Sequence, residues 1–177
     1  AKPGRNLQNT YSVVERDGVA VIPVTGPLFR YANLFTMISG ASSYELIARD
    51  FTAALENPQI KGIILDIDSP GGEVMASDEI ARAIREFEQD ESIDKPIIAS
   101  MGGMAASGGY YIAAPCRLIF ANKLTITGSI GVFGLMMDVE KLAESFGVTR
   151  DVVKTSPHAD LLTLFRPKTE EEISLLQ

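Results

Sequence analysis

Short apolar runs alternate along this chain with longer stretches whose apolar positions recur at helical spacing. Residues 18–24 (GVAVIPV) are almost continuously apolar and predict a strand buried on both faces. Ser42 and Glu45 have capping-box spacing, and the helix they open, over 44–56, places Ile47, Phe51, Ala54 and Leu55 on one side. Asn57 and Pro58 stop it. The alternation then repeats. A strand is expected over 60–67, a helix over 76–89 with Ile80, Ile84 and Phe87 inward, and a strand over 96–100. A small-residue helix follows over 105–114, then a strand over 117–121. Asp138 can cap a helix over 139–146 that Gly147 ends, and 148–154 reads as a last strand. Residues 170–177 read as the opening of another helix, so the chain is expected to be a piece of a longer protein.

Strand–helix–strand order implies right-handed crossovers and an α/β fold, its mostly parallel sheet covered by helices. Residues 1–17 are expected to form an N-terminal tail, ordered only near 11–15, and 18–177 a single domain without repeats. Residues 25–40 form a loop carrying Leu28, Phe29, Tyr31, Leu34, Phe35 and Met37. Two readings stay open for it: a lid packed on the core, or a substrate-groove wall or subunit contact. Residues 90–95 read as a charged surface loop.

Composition narrows the class. The chain has 177 residues, 46% of them hydrophobic and 22% charged, which suits one globular domain. A formal net charge of −7 argues against nucleic acid as a partner, because phosphate binding needs clustered Lys and Arg. The one cysteine, Cys116, cannot form an internal disulfide, and its apolar neighbours predict a buried, unreactive thiol. No apolar run reaches the roughly 18 to 20 residues that span a bilayer. Residues 1–9 are polar and show no leader, so any membrane anchor is expected outside this sequence.

Candidate chemistry gathers at residues 100–111 (SMGGMAASGGYY), between an expected strand and an expected helix. Ser107 has neighbours with little or no side chain. A serine there can expose its hydroxyl at a helix head, where first-turn N–H groups and the dipole favour a developing oxyanion. The plain alternative is a Gly/Ala turn that lets a helix pack closely on a sheet. Upstream, DSPGG (68–72) ends a strand in a Pro-Gly-Gly turn. Gly71 and Gly72, with Gly108, are candidate oxyanion donors, since glycine lets a backbone approach a substrate carbonyl closely. Downstream, TGSIGV (127–132) offers Ser129, either as support for the serine and its base or as a helix cap.

A serine nucleophile needs a base. His158 is the only histidine, and the order Ser107, Asp138 or Asp151, His158 matches an α/β-hydrolase triad. Yet the elbow reads A-x-S-x-G rather than G-x-S-x-G, and no HGGG loop occurs. A lysine buried in apolar surroundings, whose pKa falls toward neutrality, is the other candidate.

Together DSPGG, MAASGGYY and TGSIGV resemble the signal peptide peptidase A family of serine peptidases, which shares this pattern with phage prohead proteases. The resemblance runs from about residue 19 to 177 and implies a ClpP/crotonase-like fold of repeated ββα/βαβ units and a Ser–Lys dyad. It matches Ser107 to the nucleophile and involves no cofactor or metal. The base histidine of ClpP-like peptidases falls at Val132 here, and the family's lysine falls at Ala159. Alanine cannot take a proton, so the dyad is incomplete. Lys154 is nearby but reads as a surface residue. In double-length members the serine-bearing repeat reads TSPxAD at this segment, as 155–160 do here, and the lysine comes from the other repeat. The resemblance therefore implies a lysine-donating repeat or subunit and a homo-oligomer. It also implies a peptide substrate such as a released signal peptide, and an extracytoplasmic, membrane-associated location in the full-length protein. A pseudo-peptidase acting as an assembly module is the alternative. So is a phage capsid protease in the host cytoplasm, since residues 29–35 (FRYANLF) resemble phage members.

Overall fold

The computed structural model describes residues 4–32, 34–90 and 92–176. In chain order the elements are β1 (Arg5–Asn6), β2 (Val14–Arg16), β3 (Val19–Thr25), β4 (Leu28–Phe29), α1 (Leu34–Ser39), β5 (Ser42–Ser43) and α2 (Tyr44–Glu56). There follow β6 (Gly62–Ser69), α3 (Val74–Gln89), β7 (Ile97–Ala106), α4 (Gly108–Ala113), β8 (Leu118–Ala121), β9 (Ile126–Gly128), α5 (Glu140–Ser145) and α6 (Glu170–Leu176). The chain divides into two compact units, Ala1–Val132 and Phe133–Gln177.

The first unit is built on a sheet of order β1-β2-β3-β6-β7-β8, with β9 also paired to β7. From β3 onward every pairing in it is parallel. Parallel neighbours need crossover connections, which α2, α3 and α4 supply. Ala20, Ile22 and Val24 of β3, Ile63, Leu65 and Ile67 of β6, and Ile97, Ala99 and Met101 of β7 share one buried face. Ile47 and Phe51 of α2, Ile80 and Ile84 of α3, and Ile112 of α4 complete the core. The apolar burial this implies, about 25 cal/mol per Å², is the main force holding the crossovers down.

The pleat corrects one expectation. β3 is buried on a single face, because Val19, Val21 and Pro23 alternate with the core residues and stay half-buried. The expected tail is not free either. β1 and β2 extend the sheet antiparallel from β3. The buried Asp50 carboxylate then accepts the N–H groups of Tyr11 (2.5 Å) and Ser12 (3.0 Å) and the Ser12 hydroxyl (2.9 Å). Strands this short carry no hydrophobic period to read, so only the pairing reveals them.

Three further local readings change. The α2 cap is Ser43, whose Oγ accepts the Leu46 N–H at 3.4 Å. Ser42 instead ties the end of β3, accepting from the Thr25 N–H and donating to the Thr25 carbonyl. Residues 25–40 contain α1 and β4 as well as loop, and Leu28 joins the core while Tyr31, Leu34 and Ile38 stay exposed. The side chains of Phe35 and Met37 lie outside what is described. Lys95 is no simple surface charge, since its Nζ donates to the carbonyls of Ala54, Leu55 and Asn57 and caps the C-terminus of α2. Burial there lowers its pKa.

The second unit holds α5 and α6. Asp138 Oδ1 accepts the Glu140 N–H at 2.9 Å, and Gly147, at φ +68°, follows α5. The strand expected over 148–154 does not form. A strand exists by pairing, and among the described residues that unit offers no other strand to pair with. A capping box not read from the sequence opens α6. Thr169 Oγ1 accepts the Glu172 N–H at 3.2 Å while Glu172 Oε2 accepts the Thr169 N–H at 2.9 Å. Arg166 joins Asp160 (3.0 Å) to the buried Glu172 (2.5 Å).

That junction sets an acid limit for the second unit. The Arg166 guanidinium, helped by the Thr169 N–H, lowers the Glu172 pKa from 4.5 to about 2. Arg166 and then Lys154 hold Asp160 well below the usual carboxylate range. Carboxylates with depressed folded-state pKa values contribute stability that is present above the unfolded value and lost as pH falls through the folded one. Amide exchange in α6, taken relative to the intrinsic rate at each pH, is therefore expected to accelerate as pH drops from 4.5 towards 2. Arg166→Leu is expected to accelerate it already at neutral pH and to flatten the acid response.

Candidate active site

β7 runs further than expected, through Gly102 and Gly103 to Ala106, and α4 starts at Gly108 rather than 105. The extension is held from both sides. Ala105 pairs with Ser69 of β6, and Met104 to Ala106 pair with β9. Between Ile67 and Ser69 the register shifts, and Asp68 Oδ1 takes the Met104 N–H at 2.9 Å. β7 therefore delivers Ser107 directly to the head of α4.

Ser107 sits at φ +50°, ψ −120°, a conformation that L-residues rarely adopt. Such strain costs on the order of 1–3 kcal/mol and persists only where the surroundings over-determine it. Here the Ser107 N–H donates to the Gly128 carbonyl at 2.8 Å, and its own carbonyl accepts the Tyr111 N–H at 2.9 Å. The half-buried side chain makes no capping bond, and its hydroxyl has no hydrogen bond among the described residues.

The Pro-Gly-Gly turn lies against this serine. A Cβ on Gly71 would stand 2.5 Å from the Gly108 nitrogen and 3.0 Å from the Ser107 Cβ, and Gly71 has φ +92°. Gly72 is pressed on the Leu28 backbone, Gly108 on the Ser77 hydroxyl, and Gly109 within 2.7 Å of the Ser69 carbonyl by the same measure. One of the three candidate donors is already engaged: the Gly71 N–H donates to Ser69 Oγ at 3.1 Å. The Gly72 and Gly108 N–H groups have no acceptor among the described residues. Gly71 thus serves close approach, and Gly72 and Gly108 keep their hydrogens available.

Ser129 follows Gly128 at φ +52° and is exposed. No helix begins there, so the helix-cap reading falls, whereas Gly128 next to it anchors the serine backbone. The other candidates belong to the second unit. Ala159 is exposed. Lys154 Nζ is spent on the Pro157 carbonyl (3.0 Å) and Asp160 (2.9 Å). His158 Nε2 lies 3.6 Å from Glu171, and that carboxylate is neither Asp138 nor Asp151. Cys116 is buried, and burial followed by the Glu88 charge pushes its thiol up to about 12, which keeps it unreactive. The contacts of Ser69, within DSPGG, and of the Gly128 carbonyl are not legible in the sequence. Hydrogen bonds of this kind leave no periodic trace.

A profile of peptidase family S49 matches residues 89–177, just over half of the chain, and that span contains Ser107. The chain belongs to peptidase family S49. This S49 chain is 50% identical over 105 residues to Protease 4 of Salmonella typhi, covering 59% of itself and 16% of that protein. It is 36% identical over 163 residues to the chloroplastic serine protease SPPA of Arabidopsis thaliana, covering 92% of itself and 24% of that protein. It therefore spans less than a quarter of either relative. A solved structure of a mutant of the 1510-N membrane-bound stomatin-specific protease is 26% identical, with a TM-score of 0.44 over 59% of this chain and 44% of that one.

The glycine contacts make a test within the candidate site. Gly71→Ala is expected to destabilise the first unit by at least about 1–3 kcal/mol from backbone strain alone, before the clash with Gly108 is relieved. Gly131→Ala, with nothing within 4 Å and no positive φ, is expected to be neutral. Thermal unfolding of the two variants checks both outcomes.

Proposed function

We propose that this chain is the nucleophile-bearing part of a serine endopeptidase. The observation that supports it is Ser107, held in a strained backbone, its hydroxyl without a hydrogen bond among the described residues, beside Gly72 and Gly108 amides that lack acceptors there. In the proposed reaction Ser107 Oγ attacks a peptide carbonyl and loses its proton to a base. The Gly72 and Gly108 N–H groups stabilise the oxyanion. The tetrahedral intermediate collapses as the amine leaves with that proton, and water then hydrolyses the acyl-enzyme. A nucleophile, a base and two amides suffice, so the reaction needs no metal or cofactor.

The base is a lysine from another repeat or subunit, because Ala159 occupies the position where the family resemblance places it. The active form is accordingly a homo-oligomer or a longer chain in which 18–177 acts as one peptidase domain. Its substrates are extended peptides with small or apolar residues, such as released signal peptides. The full-length protein is membrane-associated and presents this part on the extracytoplasmic side. Among the described residues no helix is long and apolar enough to cross a membrane. Ala159 itself favours a second reading, a pseudo-peptidase that keeps the scaffold for binding or assembly.

Two variants separate these readings. Ser107→Ala is expected to abolish peptide hydrolysis by the full assembly, and retained turnover would remove Ser107 from the mechanism. Ala159→Lys is expected to raise serine-dependent hydrolysis by about 10² to 10⁴, the worth of general-base help, along a basic pH limb. A folded, assembled Ala159→Lys protein without serine-dependent turnover would show the base to be placed wrongly.

A further inference from the structure

We propose that Ser69 is a positioning residue whose buried hydroxyl aims the oxyanion donors. The inference rests on the peptidase reading and adds to it the group that holds the Pro-Gly-Gly turn still. An oxyanion hole works only when its donors are oriented before charge develops. Two successive glycines tend to the opposite, since glycine has the widest conformational freedom of any residue. Something must fix them.

Around this turn the backbone contributes two hydrogen bonds. Leu28 N–H donates to the Gly71 carbonyl at 3.0 Å and Glu73 N–H to the Leu28 carbonyl at 2.9 Å. The first holds the Gly71–Gly72 peptide plane, which carries the Gly72 N–H, and neither restrains the Pro70–Gly71 plane before it. That is left to one side chain. Ser69 is fully buried, and its Oγ accepts the Gly71 N–H at 3.1 Å while donating to the Gly26 carbonyl at 2.6 Å. Gly26 is itself fastened, its N–H donating to the Asp68 carbonyl at 2.9 Å. The hydroxyl thus joins the end of β3 to the turn and spends its single proton in doing so.

Removing it leaves the buried Gly71 N–H without its acceptor and the half-buried Gly26 carbonyl without its donor. The Pro70–Gly71 plane is then free to turn about Gly71, and the Gly72 amide keeps its aim through the Leu28 bond alone. Ser69 therefore acts through Gly72 and touches no substrate. Its effect belongs to the transition state, because an oxyanion exists there and not in the bound substrate.

The test compares Ser69→Ala with the wild type in the intact protein that supplies its own base. Ser69→Ala is expected to lower kcat about ten- to a hundredfold, less than loss of an oxyanion donor outright. KM is expected to move by less than about threefold, and a peptide aldehyde inhibitor to lose affinity in step with kcat/KM. Hydrogen exchange at the Gly71 amide is expected to accelerate. Should Ser69→Ala not fold, Ser69→Cys, close in size with a weak donor, carries the same comparison. A folded variant whose kcat stays within about twofold of wild type, or whose loss lies wholly in KM, overturns the proposal alone. Hydrolysis that does not depend on Ser107 overturns the peptidase reading and this catalytic role with it.

Discussion

Backbone meets backbone at the head of α4, and the rest of the first unit is arranged so that it can. The Pro-Gly-Gly turn, the Ser107–Gly108 turn and the Leu28 strand approach closer than any side chain would allow. That approach follows from the sheet. β6 and β7 are parallel neighbours, so their C-terminal ends, each leading into a helix, emerge side by side. Asp68 absorbs the register shift between them and lets β7 run on to the serine. The Gly128 carbonyl then holds the serine amide from the other side. The strained torsion at Ser107 is the local cost of these constraints and is tolerated because all of them act together.

How much of this was written in the sequence follows from which interactions are periodic. α2 and α3 were legible because Ile47, Phe51 and Ala54, or Ile80 and Ile84, repeat at helical spacing and are buried. The parallel sheet followed from the order of elements. The serine turn was legible from composition alone, since so many residues without bulk have few uses beyond close approach. What escaped were pairings made by single polar atoms. β1 and β2 depend on a ladder with β3 and on Asp50. The cap of α2 shifted by one residue because Ser42 was claimed by Thr25. Lys95 looked like a solvated charge until its ammonium met three carbonyls at the end of α2.

The second unit shows the reverse case. Residues 148–154 have the apolar character of a strand, yet a strand is a relation between two segments, and no partner strand lies among the described residues of that unit. Its order comes instead from charge. Arg166 gathers Asp160 and Glu172, and Lys154, a candidate base by proximity, is drawn into the same cluster. Its ammonium donates to the Asp160 carboxylate and the Pro157 carbonyl within that cluster. The segment around Ala159 is therefore held by ion pairs rather than by a hydrophobic pocket.

Cys116 gives the fold an internal clock. It is the chain's sole thiol, and its Sγ reaches back to the Ile112 carbonyl at 3.7 Å, where α4 leads into β8. With its pKa pushed up to about 12, almost none of it is thiolate at neutral pH, and thiolate is what alkylating reagents attack. Modification must wait until α4 lifts from the sheet and water reaches the sulfur. The rate of alkylation then counts the openings of the very helix that the serine precedes, without any probe being added to the molecule.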